Sequence, residues 1–139
     1  MSIVREFEQA FNRQDVAALV ACFTPGATYT DTFFGPHTGT AALTGMFERM
    51  FHEGRDYSWT MDVIVDGRDT AAAEWSFGYV VTGAIPRSAG RKVRFRGMSL
   101  FELEGGRIAR YREYFNEGVA LLQLGFKPDS IAKVLARKV

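Results

Sequence analysis

The chain is poor in the residues that build metal or covalent sites. Its 139 residues include one cysteine and two histidines. A single thiol, Cys22, cannot close an internal disulfide, and Cys22 with His37 and His52 is too small a set for a zinc cluster. The sequence has no phosphate-cradling glycine loop, no dinucleotide fingerprint and no serine-nucleophile motif. No apolar run approaches the ~18 residues of a membrane span. The start, Met1-Ser2-Ile3-Val4-Arg5-Glu6, has no basic stretch leading into an apolar core, so a secretory signal is not expected there and a cytoplasmic location is. No metal and no cofactor is expected, and any chemistry would be cofactor-free acid–base chemistry.

Hydrophobic residues make up 47% of the chain and charged residues 24%, the balance of an ordinary globular protein. Aromatics are abundant at 14%, and twelve of them are Phe. One domain spanning 1–139 is expected. The net charge of +1 is unevenly spread. Between Arg87 and Arg112 lie eight basic residues and two acids, Glu102 and Glu104. Such a stretch marks an anion-facing surface or, more commonly, a solvated sheet face or subunit interface. Neither a nucleic-acid partner nor a membrane partner is expected.

Periodicity divides the chain in two. Ile3, Val4, Phe7, Ala10 and Phe11 recur at helical spacing. Asp15 is positioned to cap a second helix carrying Val16, Leu19, Val20 and Phe23, which Thr24-Pro25-Gly26 should stop. Ala27–Asp31 reads as a short strand, 32–39 as a loop, and Thr40 as the cap of a third helix ending near Gly54. The period then changes to two. Strands are predicted over Tyr57–Val65, Thr70–Thr82, Arg91–Glu104 and Arg107–Asn116, with turns at Asp66-Gly67 and Gly105-Gly106. Two helices close the chain, Glu117–Leu124 and one opening at Pro128. Helices followed by an antiparallel meander make an α+β fold. A curved sheet wrapped by helices leaves room for an apolar pocket between the two.

Three stretches carry a family resemblance. Phe7-Glu8-Gln9-Ala10-Phe11-Asn12-Arg13-Gln14-Asp15 resembles the first helix and break of SnoaL-like proteins. Ala27-Thr28-Tyr29-Thr30-Asp31 resembles their first strand, and Gly105-Gly106-Arg107-Ile108 with Arg112-Glu113-Tyr114-Phe115-Asn116 their last hairpin. The resemblance covers roughly residues 3–116 and leaves 117–139 as a C-terminal helical extension. It implies the cone-like half-barrel shared by nuclear transport factor two, ketosteroid isomerase and limonene-epoxide hydrolase. It also implies a general base at Asp31, where ketosteroid isomerase carries its Asp. The isomerase oxyanion hole needs a Tyr on the first helix and a protonated Asp on the third long strand. Here those positions hold Phe7 and Ser99, so steroid isomerisation by that arrangement is not expected. The Asp–Arg–Asp network of the epoxide hydrolase is not matched either, because Ser99 and Glu113 occupy the nearest positions.

Strand alternation places side chains on faces. Val93, Phe95, Gly97, Ser99, Phe101 and Leu103 share the apolar side of one strand, and Tyr111, Glu113 and Phe115 share a side of the next. With the apolar sets inward, Glu113 joins Tyr111, Ser99 and Asp31 inside. Glu74 and Ser76 join them if Trp75, Phe77 and Tyr79 take the other face. A carboxyl among aromatics is costly unless paired or protonated, and a raised pKa suits an acid–base group. An ion pair with an arginine is the plainer alternative for Glu113, and a turn cap is the plainer one for Asp31. The candidate catalytic pair is Asp31 and Glu113. Tyr29, Tyr111, Ser99, Phe7, Phe115, Glu74 and His37 are the candidate substrate-binding residues.

Three functions remain open. One is an isomerase- or cyclase-type enzyme acting on a small apolar, cyclic or polyketide-like molecule. Another is a pocket protein that binds such a molecule without turnover. The third is an interaction module using the basic sheet face. A homodimer through the outer sheet face is expected.

Overall fold

The computed structural model describes residues 2–139. Two helices, α1 (Ile3–Asn12) and α2 (Val16–Ala21), lead into β1 (Phe23–Asp31) and β2 (Gly35–Thr38), and α3 (Thr40–Glu53) follows. Four strands then run in sequence: β3 (Gly54–Asp66), β4 (Thr70–Val81), β5 (Lys92–Glu104) and β6 (Arg107–Phe115). A 3₁₀ turn, Pro86–Ser88, lies between β4 and β5. The tail forms α4 (Glu117–Gln123) and α5 (Pro128–Ala136). Together they make the expected α+β cone, a curved, unclosed six-stranded sheet in the order β2-β1-β6-β5-β4-β3. Among the described residues no helix is long and apolar enough to cross a membrane.

The chain's polar residues set the helix starts. Ser2 Oγ accepts the Val4 N–H at 3.2 Å and Asp15 Oδ1 accepts the Ala18 N–H at 3.0 Å, which satisfies first-turn donors of α1 and α2. For α3 the expectation needs correcting. Gly39, in a positive-φ conformation (93°), is the N-cap, and Thr40 is already helical.

Strand β1 also starts earlier than predicted. Phe23 leaves the α2 face to pair with Ile108 of β6. The register then shifts before Thr28 pairs with Arg110, and Thr24-Pro25-Gly26 occupies the irregular stretch. Pro lacks a ladder donor and is tolerated in such a break. The pairing of β1 with β6 is parallel, so it joins segments about 80 residues apart that no local pattern can reveal. The predicted 32–39 loop contains the short edge strand β2, which pairs antiparallel with β1.

Aromatic side chains fill the space between helices and sheet. Phe7 is fully buried and packs edge-on against Phe23, Trp59 and Phe101. Polar clamps hold α1 to β3. Asn12 donates to the Trp59 carbonyl and accepts its N–H, both at 2.8 Å, and Glu8 accepts the Met61 N–H. The tail is fixed in the same way. Gln123 of α4 accepts the Arg94 N–H at 2.8 Å and donates to the Arg94 carbonyl at 2.6 Å, covering β5 where β6 has ended.

Candidate functional site

The two candidate carboxylates come together because β1 and β6 run parallel. Thr30 sits beside Arg112, so the next residues, Asp31 and Glu113, end up side by side on the inner face. Asp31 closes β1 and caps the turn that follows. Its Oδ1 accepts the N–H groups of Phe33 (2.8 Å) and Phe34 (2.9 Å). Its Oδ2 accepts no hydrogen bond from any described residue, although the residue is only 5% exposed. Glu113 is differently held. Its Oε1 accepts from the Tyr111 hydroxyl at 2.8 Å and its Oε2 from the Thr32 N–H at 3.1 Å. The turn cap expected as the plainer reading of Asp31 is therefore present, and it leaves the other oxygen free.

Behind Glu113 runs a buried hydrogen-bond chain. Trp75 Nε1 donates to Ser99 Oγ at 2.8 Å, and Ser99 Oγ lies 2.8 Å from the Tyr111 hydroxyl. Gly97 makes room for this chain. Trp75 pairs with Gly97 across β4 and β5, and a Cβ at Gly97 would come within 2.8 Å of the Trp75 ring. The bare glycine lets the indole lie over β5 and reach Ser99. Tyr29 stacks on Tyr111 with ring centroids 4.1 Å apart.

Both carboxylates line one cavity of about 290 Å³ between the sheet, α3 and the tail. Eleven of its lining side chains are aromatic, among them Tyr29, Tyr57, Trp59, Trp75, Phe95 and Phe115. Phe95 and Phe115 stack at 4.2 Å. Leu121, Leu124 and Phe126 of the tail complete the wall. Arg49 stands at the exposed rim, 2.9 Å from Glu53 and over the Phe34 ring at 4.3 Å.

Enclosure in this setting disfavours charge. Burial and the adjacent Asp31 push the Glu113 carboxyl up to about 7, against the hydrogen bonds from Tyr111 and Thr32. Burial also raises Asp31, opposed by its two amide donors and by His37 and Lys138 nearby. Neither carboxylate forms an ion pair among the described residues. Burial and the Glu113 charge hold the Tyr29 and Tyr111 phenols well above their usual range. Such a site can take up and return one proton near neutral pH. Among the described residues no three His, Cys, Asp or Glu side chains group closely enough to hold a metal ion.

Several sequence expectations are corrected here. Glu74 and Ser76 point to the outer face, where Ser76 Oγ donates to Asp62 at 2.7 Å, and Trp75, Phe77 and Tyr79 face inward. Register decides this, because Ala73, not Glu74, pairs with Ser99. Phe7 lies in the core and not on the cavity. Ser99 and Tyr111 stand behind the wall, bonded to each other and to Glu113 or Trp75. His37 sits on β2 with Nδ1 3.1 Å from the Gly35 carbonyl, away from the lining. Tyr29 and Phe115 do line the cavity. Sequence reasoning did not identify Trp59, Tyr57 or the tail residues as lining. The amphipathic pattern of the tail signalled a buried face but not where it docks.

Residues 4–111 match the SnoaL-like domain. The chain belongs to that family. The SnoaL-like match ends just before Glu113, so the second carboxylate and the tail lie beyond the matched stretch. No curated protein matches the sequence. Among solved structures, a protein of ketosteroid isomerase-like fold from Catenulispora acidiphila DSM 44928, in complex with trimethylamine, is similar with a TM-score of 0.78 and 22% identity. That match covers 91% of this chain and 95% of that one. A candidate polyketide cyclase from Xanthomonas campestris pv. campestris gives a TM-score of 0.74 at 22% identity, over 88% of this chain and 93% of that one. An LEH-like epoxide hydrolase from M. tuberculosis gives 0.73 at 17% identity, over 97% and 93%. At these identities the likeness establishes the SnoaL-like fold.

Proposed function

We propose that this protein is a cofactor-free enzyme that moves protons at carbon in a small apolar molecule, an isomerase- or cyclase-type reaction. One observation carries the reading. Asp31 Oδ2 accepts no hydrogen bond from the described residues, and Asp31 shares an aromatic-walled cavity with a second carboxyl whose pKa is raised to about 7. With Glu113 titrating at about 7, a proton held there beside an ionised Asp31 gives an acid and a base in one place.

In this reading ionised Asp31 Oδ2 takes a proton from a carbon next to a carbonyl. The C–H electron pair moves into the enolate, whose oxygen receives a hydrogen bond from protonated Glu113. Where the enolate is conjugated with a neighbouring double bond, return of the proton to the far carbon of that dienolate shifts the double bond and isomerises the substrate. Attack of the enolate carbon on a second carbonyl closes a ring, with Glu113 protonating the resulting alkoxide. The SnoaL-like fold and a similar structure described as a candidate polyketide cyclase support this class of chemistry.

The test is deuterium exchange at the α-carbons of 2-tetralone in D₂O, followed by NMR. The parent protein is expected to accelerate exchange over buffer. Asp31→Asn should lose about 100-fold or more of that acceleration, and Glu113→Gln should change its pH profile. Binding of the ketone with exchange at the buffer rate would make the protein a carrier of small molecules and end the enzyme reading.

A further inference from the structure

Charge on the cavity wall is out of balance. Asp31 and Glu113 place two carboxyl groups side by side, and no cation among the described residues pairs with either. The cations that line the cavity stand at its rim. Arg49 is engaged by Glu53 and Phe34, and Arg87 is exposed to solvent. Lys138 reaches the back of the turn instead, where it donates to the Thr32 carbonyl and lies 3.1 Å from Glu117. Inside, Asp31 lines the cavity, and its Oδ2 has no donor among the described residues.

A buried anion without a counter-ion is unfavourable, and a ligand that brings the missing positive charge removes that cost. The rest of the wall is aromatic, and aromatic rings attract ammonium groups while packing against alkyl bodies. The geometry points to a hydrophobic organic cation, an alkylamine in its ammonium form, as a further ligand class of this cavity, one that competes with the neutral substrate for Asp31. Its nitrogen lies against Asp31 Oδ2 and its alkyl body against Trp59, Trp75, Phe95 and Phe115. This inference rests on the proposed reading only for placing the ligand beside Asp31. It makes no use of turnover.

Protonation of the pair sets the pH response. Around Asp31 the charged or titratable neighbours are Tyr29 on β1, Glu113 on β6, His37 on β2 and Lys138 in the tail, with Arg49, Glu53, Tyr57, Tyr79 and Arg87 around the rest of the cavity. Around Glu113 they are Asp31, Tyr29 and Tyr111. Both carboxyls are raised, so acid removes the negative charge that an ammonium group needs. The amine itself stays protonated throughout, since alkylamines resemble Lys, with a pKa of about 10.

The experiment is a titration of the intact protein with N,N-dimethylcyclohexylamine and with cyclohexyl methyl ketone, a neutral molecule of similar shape. Binding is read by calorimetry and by the fluorescence of Trp59 and Trp75, at pH 8 and pH 5.5. The amine is expected to bind about tenfold or more tightly than the ketone at pH 8. That preference should shrink about tenfold at pH 5.5, and Asp31→Asn should abolish it. Equal or tighter binding of the ketone at pH 8, or no binding of the amine, overturns the proposal. The comparison on the parent protein needs no variant to fold. Amine binding without tetralone exchange sinks the enzyme reading and leaves this one standing. Tetralone exchange with a preference for the ketone does the reverse.

Discussion

Trp75 Nε1 donates to Ser99 Oγ across 2.8 Å, and this bond gives the chain behind Glu113 its direction. An indole N–H can only donate. Ser99 accepts from it and turns its own proton to Tyr111, and Tyr111 then donates to Glu113 Oε1. A relay of donors from β4, β5 and β6 thus ends on one carboxyl, where only Tyr111 donates directly, and it favours the charged form. Burial and Asp31 favour the neutral form, and they prevail.

Tyr111→Phe removes the last donor of that chain. The Glu113 carboxyl should titrate higher still, because a bond that stabilised only its ionised form is gone. Carboxyl ¹³C NMR across pH 5–9 reads this directly. Ser99→Ala should act in the same direction but more weakly. It should also cost about 1–3 kcal/mol in a denaturant titration, since it leaves the buried Trp75 N–H without an acceptor. A lower Glu113 pKa in either variant would contradict the directed chain.

Legibility in the sequence followed the range of the interactions. On β6 the alternation of Tyr111, Glu113 and Phe115 against Arg110, Arg112 and Tyr114 is clean, and the inward set was readable. On β4 both faces carry apolar residues, so the side of Trp75 depends on its register with β5, where Trp75 meets Gly97. That register is a tertiary fact, and Glu74 was misplaced for want of it. The resemblance brought Asp31 into the candidate pair, but the freedom of its Oδ2 depends on the turn through Phe34. The cavity's far wall was invisible because Gln123 docks α4 on Arg94, a contact between segments 29 residues apart with no periodic signature.

Gly97→Ala tests the close approach under the indole. An added Cβ would lie 2.6 Å from the Tyr114 carbonyl oxygen and 2.8 Å from both the Phe115 Cβ and the Trp75 ring. Backbone and ring must both shift, at a cost of about 1–3 kcal/mol. The Trp75–Ser99 bond should lengthen, so the indole emission should change along with stability. An unchanged emission spectrum would show that the ring does not depend on this glycine.

The outer sheet face exposes Val63, Val65, Met98 and Tyr114 beside the arginine-rich strands β5 and β6. We propose that two copies pair through this face, where apolar side chains meet and Glu102, already held by Arg112 at 2.6 Å, limits the repulsion. Light scattering at micromolar concentration is expected to give twice the chain mass, 15.5 kDa. Tyr114→Glu, which places a charge on the exposed face, should shift the equilibrium to monomer without moving the Glu113 titration. A parent protein that runs as a monomer under these conditions removes the pairing.

The pH dependence of stability follows from Glu113. Its carboxyl ionises near 4.5 when unfolded and near 7 when folded. Between those values the folded state holds a proton that the unfolded state has released, so stability falls as pH rises through this window and levels off above it. At about 1.4 kcal/mol per pH unit the whole fall is about 3 kcal/mol, and Asp31, also raised, steepens it. Glu102, held low by Arg112, works the other way but is half-exposed and acts only at lower pH. Glu113→Gln cannot ionise, yet it must offer an amide either to the Thr32 N–H or to Tyr111, so it should be less stable at pH 5. The diagnostic quantity is its slope. Thermal denaturation from pH 4.5 to 8 should show the parent losing stability while the variant keeps only the slope due to Asp31. A parent whose stability rises across that window would mean that Glu113 is charged and satisfied in the folded state, leaving the cavity without a proton to give.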